Sequence, residues 1–232
     1  MAREVERVLT IGLLYPELLG TYGDGGNALV LAERARRRRL DVEVISVGID
    51  DDVPDASIYL LGGGEDGPQR LGADLLRRST FPLRVRDGRY VLAVCAGLQI
   101  LGTSFAVEGD DEYEGLGLVD VVTHRGERRS VGDLVVRVNE RLLVGFENHG
   151  GRTTLGPGVE PFGVVERGRG NDGTVDGYTT STVWASYAHG PVLAMNPWFA
   201  DEVLERVLGR ELAPLPTVAD QLYEERRALL AR

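Results

Sequence analysis

Apolar runs of strand length alternate with helix-period segments through the first half of the chain, and no other feature limits its possible folds so strongly. Val8 to Tyr15 reads as a strand, Gly26 to Leu40 as a helix, Val42 to Val47 as a strand, and Ala56 to Leu61 as a strand running into three glycines. Gly67 to Arg78 then reads as a helix, Tyr90 to Val94 as a strand and Ala96 to Phe105 as a helix. Strands that are apolar along their length belong to a parallel sheet covered on both faces, so this order predicts a doubly wound, mostly parallel α/β fold.

The second half changes character. "GLGLVDVVTH", "GDLVVRVN", "LLVGFENHGGRT", "GVVERGRG" and "STVWASYAHGPVLAMNP" are short β-like runs parted by turn residues, which predicts extra strands added to the parallel sheet or laid beside it. Helical spacing returns at Asp201 to Leu208 and at Val218 to Leu230. No repeat or linker divides the chain, so residues 1–232 read as one domain, with a core from about 7 to 208 and a C-terminal helix over 218–230. The arginine run "ERARRRRL", residues 33 to 40, falls in the last turns of a predicted helix and reads as a solvated face that complements the helix dipole.

Composition narrows the chemistry. The formal net charge of -10 argues against a nucleic-acid binder, which needs clustered cations to neutralise phosphates. All 26 basic residues are arginine, so a P-loop lysine, a Schiff base and a pyridoxal anchor are excluded. The single cysteine can form no internal disulfide, and no Cys/His cluster has zinc spacing, so no metal site is expected. The N-terminal "MAREVERVLTIGLLYPELLG" has acidic residues ahead of a short apolar run, and no run reaches the roughly 18 apolar residues of a membrane span. A cytoplasmic protein without membrane insertion is expected.

That single cysteine, Cys95, lies in "YVLAVCAGLQILG" where a strand gives way to a helix. A free thiol has a pKa of about 8.5, and the N–H groups and positive end of a following helix favour the thiolate. In open α/β sheets this is also the carboxyl edge, where ligands bind. A small core cysteine is the alternative. A nucleophilic thiol needs a base, and only His124, His149 and His189 are available. His189 follows "STVWASYA", also where a strand gives way to a loop. His149 is the second choice, and His124, in the "THRGERRS" loop, reads as a surface residue. Attack on an acyl carbon needs N–H donors for the oxyanion. The glycines of "YLLGGGEDG" can bring the Gly63 or Gly64 amide close to a ligand, to pair with the amide of Ala96.

These residues carry a resemblance. "VCAGLQILG", with Cys95, Gly97 and Gln99, is similar to the nucleophile elbow of class I glutamine amidotransferases, a flavodoxin-like fold, and "LLGGGEDG" resembles their oxyanion loop. "YAHGPVLAMNP" looks like the cobyric-acid-synthase-type variant, which has Y-x-H-G where other members have H-P-E. The set "TYGDGGN", "LLGGGEDG", "EGLGLVD", "GFENHGGRT" and "YAHGP" resembles the amidotransferase subunits of lipid II isoglutaminyl synthases, over residues 20 to 191.

The resemblance implies that Cys95 attacks the carboxamide of L-glutamine, with His189 as base and then acid, and Gln99 beside the substrate. It also implies a glutamine-holding arginine in "GERRSVGD", where counting back from Gly132 favours Arg129 over Arg128. More familiar class I members place a glutamate two residues after the histidine, where this chain has Pro191. Glu147, Asn148 and Asp24 are therefore candidates to orient the imidazole, and a dyad is the remaining possibility.

The resemblance further implies a Mur-ligase-like MurT partner holding ATP and magnesium, with no cofactor in this chain. Together they would amidate the D-glutamate of the lipid II stem peptide at the inner face of the membrane. Three other functions compete: amidation of a cobyrinate-type corrinoid, a cysteine hydrolase with another substrate, and a non-catalytic binding module on the same scaffold.

Overall fold

A computed structural model describes residues 8–107 and 112–230, so the acidic residues read at positions 1–7 lie outside it. In chain order its elements are β1 (Leu9–Leu14), α1 (Gly26–Arg37), β2 (Val42–Val47), β3 (Ile58–Leu61), α2 (Asp66–Arg78), α3 (Phe81–Arg86), β4 (Tyr90–Val94) and α4 (Ala96–Leu101). There follow β5 (Ser104–Ala106), β6 (Glu112–Glu114), β7 (Val121–Val138), β8 (Arg141–Leu155), β9 (Gly163–Arg167), β10 (Val175–Asp176), β11 (Tyr178–Thr179) and β12 (Val183–Ser186). Three helices close the chain: α5 (Val192–Met195), α6 (Pro197–Leu208) and α7 (Val218–Leu230).

The doubly wound α/β sheet is present, with strand order β11-β12-β4-β3-β1-β2. β2, β1, β3, β4 and β12 are mutually parallel, and β11 adds an antiparallel edge. All four residues of β3 are buried, as a strand covered on both faces requires. On α1, Ala28, Leu31, Ala32 and Ala35 recur at helical spacing and are buried against the sheet. Full burial of a leucine such as Leu31 stabilises the fold by about 1.5–3 kcal/mol. The chain runs from β1 outward to β2 and returns to β3 on the other side of β1. This reversal opens a crevice at the carboxyl ends of the strands, where ligands bind in such folds.

Most of the second-half strands form a separate sheet, ordered β10-β9-β7-β5-β6, with β8 also paired to β7. The β7–β8 hairpin is its spine. The segment "THRGERRS", expected as a loop, lies within β7, and only the register breaks, between Arg125 and Ser130. A bulge of this kind turns side chains out of the regular alternation. Ser104 and Phe105, expected to end a helix, belong to β5 because α4 stops at Leu101 and the chain turns at Gly102. Added Cβ atoms there would fall 2.7 Å from Val121 O, so the turn can pass under β7 only as glycine.

The arginine run is only partly a solvated face. Arg36, Arg37 and Arg39 are exposed, but Arg34 is buried and donates from Nε and Nη2 to both Asp201 oxygens at 2.6 Å. Arg38 joins the same carboxylate at 2.8 Å, clamping α1 to α6. No helix among the described residues is long and apolar enough to cross a membrane.

Candidate active site

Cys95 caps α4 with φ 52° and ψ -104°, a backbone conformation that L-residues seldom adopt. Its amide donates to Ser186 O of β12 at 3.0 Å, and the Gln99 amide returns to Cys95 O at 3.1 Å, so the turn is held from both sides. Gly97 is required by space: a Cβ there would sit 2.6 Å from Leu61 Cβ. Its amide donates to Gly62 O, drawing α4 onto the end of β3. The strained turn lifts the thiol to the crevice between neighbouring strand ends.

His189 follows β12 and is fully buried. Its backbone pairs with Phe146 of β8, its ring stacks on the Phe146 ring at 5.4 Å, and the Tyr22 ring lies 4.6 Å away. Nδ1 lies 2.8 Å from Asp24 Oδ2. A carboxylate accepts, so Nδ1 carries the proton and Nε2 presents a lone pair. Nε2 has no hydrogen-bond partner among the described residues, as suits a base waiting for a proton. Asp24 is therefore the residue that orients the imidazole. Glu147 and Asn148 are occupied elsewhere: Glu147 Oε2 lies 3.1 Å from His149 Nε2, and Asn148 accepts from Arg129.

The glycine loop departs from expectation at one position. The Gly63 amide, a candidate oxyanion donor, donates to Asp24 Oδ2 at 2.9 Å and faces the carboxylate, not the thiol. Gly64 lines the cleft with Cys95, so Gly64 and Ala96 are the donors left for an oxyanion. All three glycines are needed for close packing. A Cβ at Gly62 would fall 2.1 Å from Leu19 O, at Gly63 2.6 Å from His189 Cε1, and at Gly64 2.6 Å from Leu18 O.

Cys95 opens into a cleft of about 370 Å³, within the usual range for small-molecule sites. Arg129 lines it, from the stretch of β7 where the register breaks. Arg128 lies outside the lining, and its carbonyl accepts from Arg152 Nη2 at 2.7 Å. Gln99 borders the cleft but is held in an internal network: its Oε1 accepts from Gln69 at 2.9 Å and its amide donates to Tyr187 Oη at 3.2 Å. His149 lies in the same wall, stacked on Tyr187 at 3.8 Å. No local signal in the sequence assigns a role to Tyr22, Gln69 or Tyr187. "TYGDGGN" marked Tyr22 only as part of a block, and nothing local marked Gln69.

The electrostatics also differ from what the helix terminus alone suggests. Burial, then the negative charge of Asp24, push the Cys95 thiol up to about 12, against the pull of the Ala96 amide and Arg129. A thiol held up in this way needs a base to take its proton as the sulfur attacks. Burial opposes the charge on Glu147, but hydrogen bonds from His149, Gly170 and Arg169 outweigh it and hold the carboxyl low.

A strand-end cysteine, a carboxylate-oriented histidine and a glycine loop on a doubly wound sheet define a class I glutamine amidotransferase. Residues 10–197 match the CobB/CobQ-like glutamine amidotransferase domain, and the chain belongs to that family of glutamine-hydrolysing enzyme subunits.

It is 33% identical over 213 residues to the GatD subunit of the glutamine-hydrolysing lipid II isoglutaminyl synthase of Staphylococcus aureus, covering 89% of this chain and 87% of that one. The GatD subunit of Streptococcus pneumoniae is 32% identical, over 94% of this chain and 88% of its own. A cobyric acid synthase of Limosilactobacillus reuteri is 27% identical, and the match spans 54% of that longer protein. Among solved structures, a glutamine amidotransferase aligns with a TM-score of 0.57 at 20% identity, over 85% of this chain and 98% of its own. PurLQS from Thermotoga maritima aligns with a TM-score of 0.54 at 20% identity, over 88% and 97%, which shows the shared fold.

Proposed function

We propose that this chain is the ammonia-supplying subunit of a lipid II isoglutaminyl synthase. It hydrolyses L-glutamine and passes ammonia to a Mur-ligase-like MurT partner, which converts the D-glutamate of the lipid II stem peptide to D-isoglutamine. The acceptor is argued from the likeness to two GatD subunits across most of both chains. ATP and magnesium are assigned to the partner, since a sequence without lysine has no P-loop lysine for a nucleotide. The observation that carries the chemistry is the buried Asp24–His189 pair, with Nδ1 committed to the carboxylate and Nε2 unpartnered among the described residues, after a strand that pairs with the one leading to Cys95.

On this reading Arg129 holds the α-carboxylate and the carboxamide lies over Cys95. His189 Nε2 takes the thiol proton as the sulfur–carbon bond forms, and the carbonyl oxygen becomes an oxyanion against the Gly64 and Ala96 amides. The carbon–nitrogen bond then breaks, and His189 returns the proton to the departing nitrogen, releasing ammonia and leaving a γ-glutamyl thioester. Water, deprotonated by the same imidazole, attacks the thioester to give glutamate and regenerate the thiol.

Purified chain is to be mixed with glutamine and ATP, with and without the Mur-ligase-like partner and lipid II, following glutamate release and product mass. Cys95→Ala should abolish ammonia formation while leaving the fold and the partner complex intact. Full activity in that variant sinks the mechanism. Glutamate release without amidation in the complete mixture sinks the lipid II acceptor and leaves the glutaminase.

A further inference from the structure

We propose that Tyr22 is a positioning residue for glutamine hydrolysis, coupling the arginine that holds the substrate to the imidazole that moves the proton. The inference rests on the roles proposed above for Arg129 and His189.

Tyr22 lies two residues before Asp24, in the loop after β1, and the backbone ties this loop to the glycine loop on both sides of it. The Thr21 amide donates to Gly63 O at 3.3 Å, and the Gly63 amide donates to Asp24 Oδ2 at 2.9 Å. The ring therefore has little freedom. Its centroid lies 4.6 Å from that of His189, tilted at 55°, with Phe146 as the other aromatic neighbour of the imidazole. A Cβ on Gly63 would meet His189 Cε1 at 2.6 Å and Tyr22 Cδ2 at 3.0 Å. Only glycine lets both rings close on that loop. Hydrogen bonding at Nδ1 fixes one end of the imidazole, and the flanking rings limit its tilt.

The hydroxyl acts at the other end of the cleft. It accepts from Arg129 Nη2 at 2.7 Å and donates to Glu65 Oε1 at 2.9 Å. A guanidinium has five N–H donors. Arg129 spends Nε on Asn148 Oδ1 at 2.6 Å, and both Nη2 protons on Tyr22 Oη and on Asn148 O at 3.2 Å. The Nε–Nη2 edge is thus anchored to protein, and among the described residues the two Nη1 protons are left for a substrate carboxylate. Without Tyr22 Oη, the half-exposed guanidinium keeps, among the described residues, only Asn148 and the looser Glu65 contact at 3.8 Å, and can turn away from the cleft. Burial, then the hydrogen bond to Glu65, push the phenol above its ordinary range, so it stays a hydroxyl able to donate and accept at once.

The two ends of Tyr22 predict separable effects. Tyr22→Phe keeps the ring against His189 and removes the arginine anchor. KM for glutamine should rise about tenfold, the equivalent of one charge-assisted hydrogen bond, with kcat within about twofold of wild type. Tyr22→Leu removes both, so kcat should also fall, roughly 10- to 100-fold. Phenylalanine thus rescues turnover but not affinity. The full chain is assayed for glutamate release against glutamine concentration, with the ligase partner present, and Cys95 labelling by a glutamine-like diazoketone is followed by mass. Tyr22→Phe should raise the concentration for half-maximal labelling and leave the maximal rate unchanged. An unchanged KM in Tyr22→Phe, or equal kcat in the two variants, overturns the proposal. A wild-type chain that releases no glutamate overturns the underlying glutamine reading instead.

Discussion

The carboxylate of Asp24 accepts the Nδ1 proton of His189 and the amide of Gly63 through the same oxygen, so a single side chain sets both the tautomer of the base and the course of the glycine loop. Asp24→Asn keeps the shape but removes the charge that stabilises an imidazolium. We expect kcat to fall by about 10²- to 10⁴-fold with KM nearly unchanged, measured as glutamate release. Wild-type turnover in this variant would falsify the orienting role. The two neighbouring arginines should separate as cleanly. Arg129→Ala should raise KM for glutamine about tenfold or more, and Arg128→Ala should leave it within about twofold. Equal effects would mean that the bulge of β7 does not choose between them.

Among the elements, the short β10–β11 segment reaches the active edge through Asp176. Its Oδ2 accepts from Ser186 Oγ at 2.6 Å and its Oδ1 from the Tyr187 amide at 3.2 Å, which steadies the stretch between β12 and His189. Burial pushes this carboxyl up to about 7, against the hydrogen bonds that favour its charge. An unfolded aspartate titrates at about 3.9. Between these values the folded state binds more protons, so this group's stabilisation, complete below about pH 4, is lost as pH rises through 7. Asp176→Asn cannot titrate, so its melting temperature relative to wild type should climb from pH 4 to 7.5 in paired thermal scans. A constant difference across that range would contradict a proton on Asp176.

At the level of the whole molecule, the two sheets divide the labour. The parallel sheet delivers Asp24, Gly64, Cys95 and His189 from four strand ends, and the β7–β8 hairpin of the second sheet brings Arg129, Asn148 and His149 to the cleft that Gly64 and Cys95 line. If ammonia is made here for a ligase partner, it should pass without mixing with solvent. Amide-¹⁵N glutamine given with excess unlabelled ammonium should yield amidated product that carries mostly ¹⁵N, read by mass. Full dilution of the label would mean that ammonia escapes before transfer.

Much of this was legible in the linear chain because it is local. Periodicity reports which face of a segment is buried, so the strands of the parallel sheet and helices α1, α2 and α7 stand close to where the spacing placed them. It failed at Ser104 and Phe105, where a helical apolar pattern continues after Gly102 has already turned the chain into β5. The bulge of β7 was hidden because its polar residues read as a loop, although backbone pairing persists on both sides. The nucleophile was legible because one cysteine sits at a strand-to-helix junction whose glycine spacing is set by close packing within a few residues.

By itself the sequence determined the alternating α/β order, the absence of lysine chemistry, and the pairing of one thiol with a small set of histidines. Only the tertiary structure decided that Asp24, 165 residues before His189, orients the imidazole, that Glu147 serves His149, and that Gly63 serves Asp24 instead of an oxyanion. It also decided which arginine reaches the cleft, through a contact with Tyr22 across 107 residues. Burial reversed the shift expected for the thiol at a helix terminus, since desolvation by the surrounding core outweighs a short helix's end. Spacing along the chain reports which face a residue occupies. Hydrogen bonds and charge effects depend on distances of a few ångströms between side chains, and those distances are set only when distant strand ends meet at one edge of the sheet.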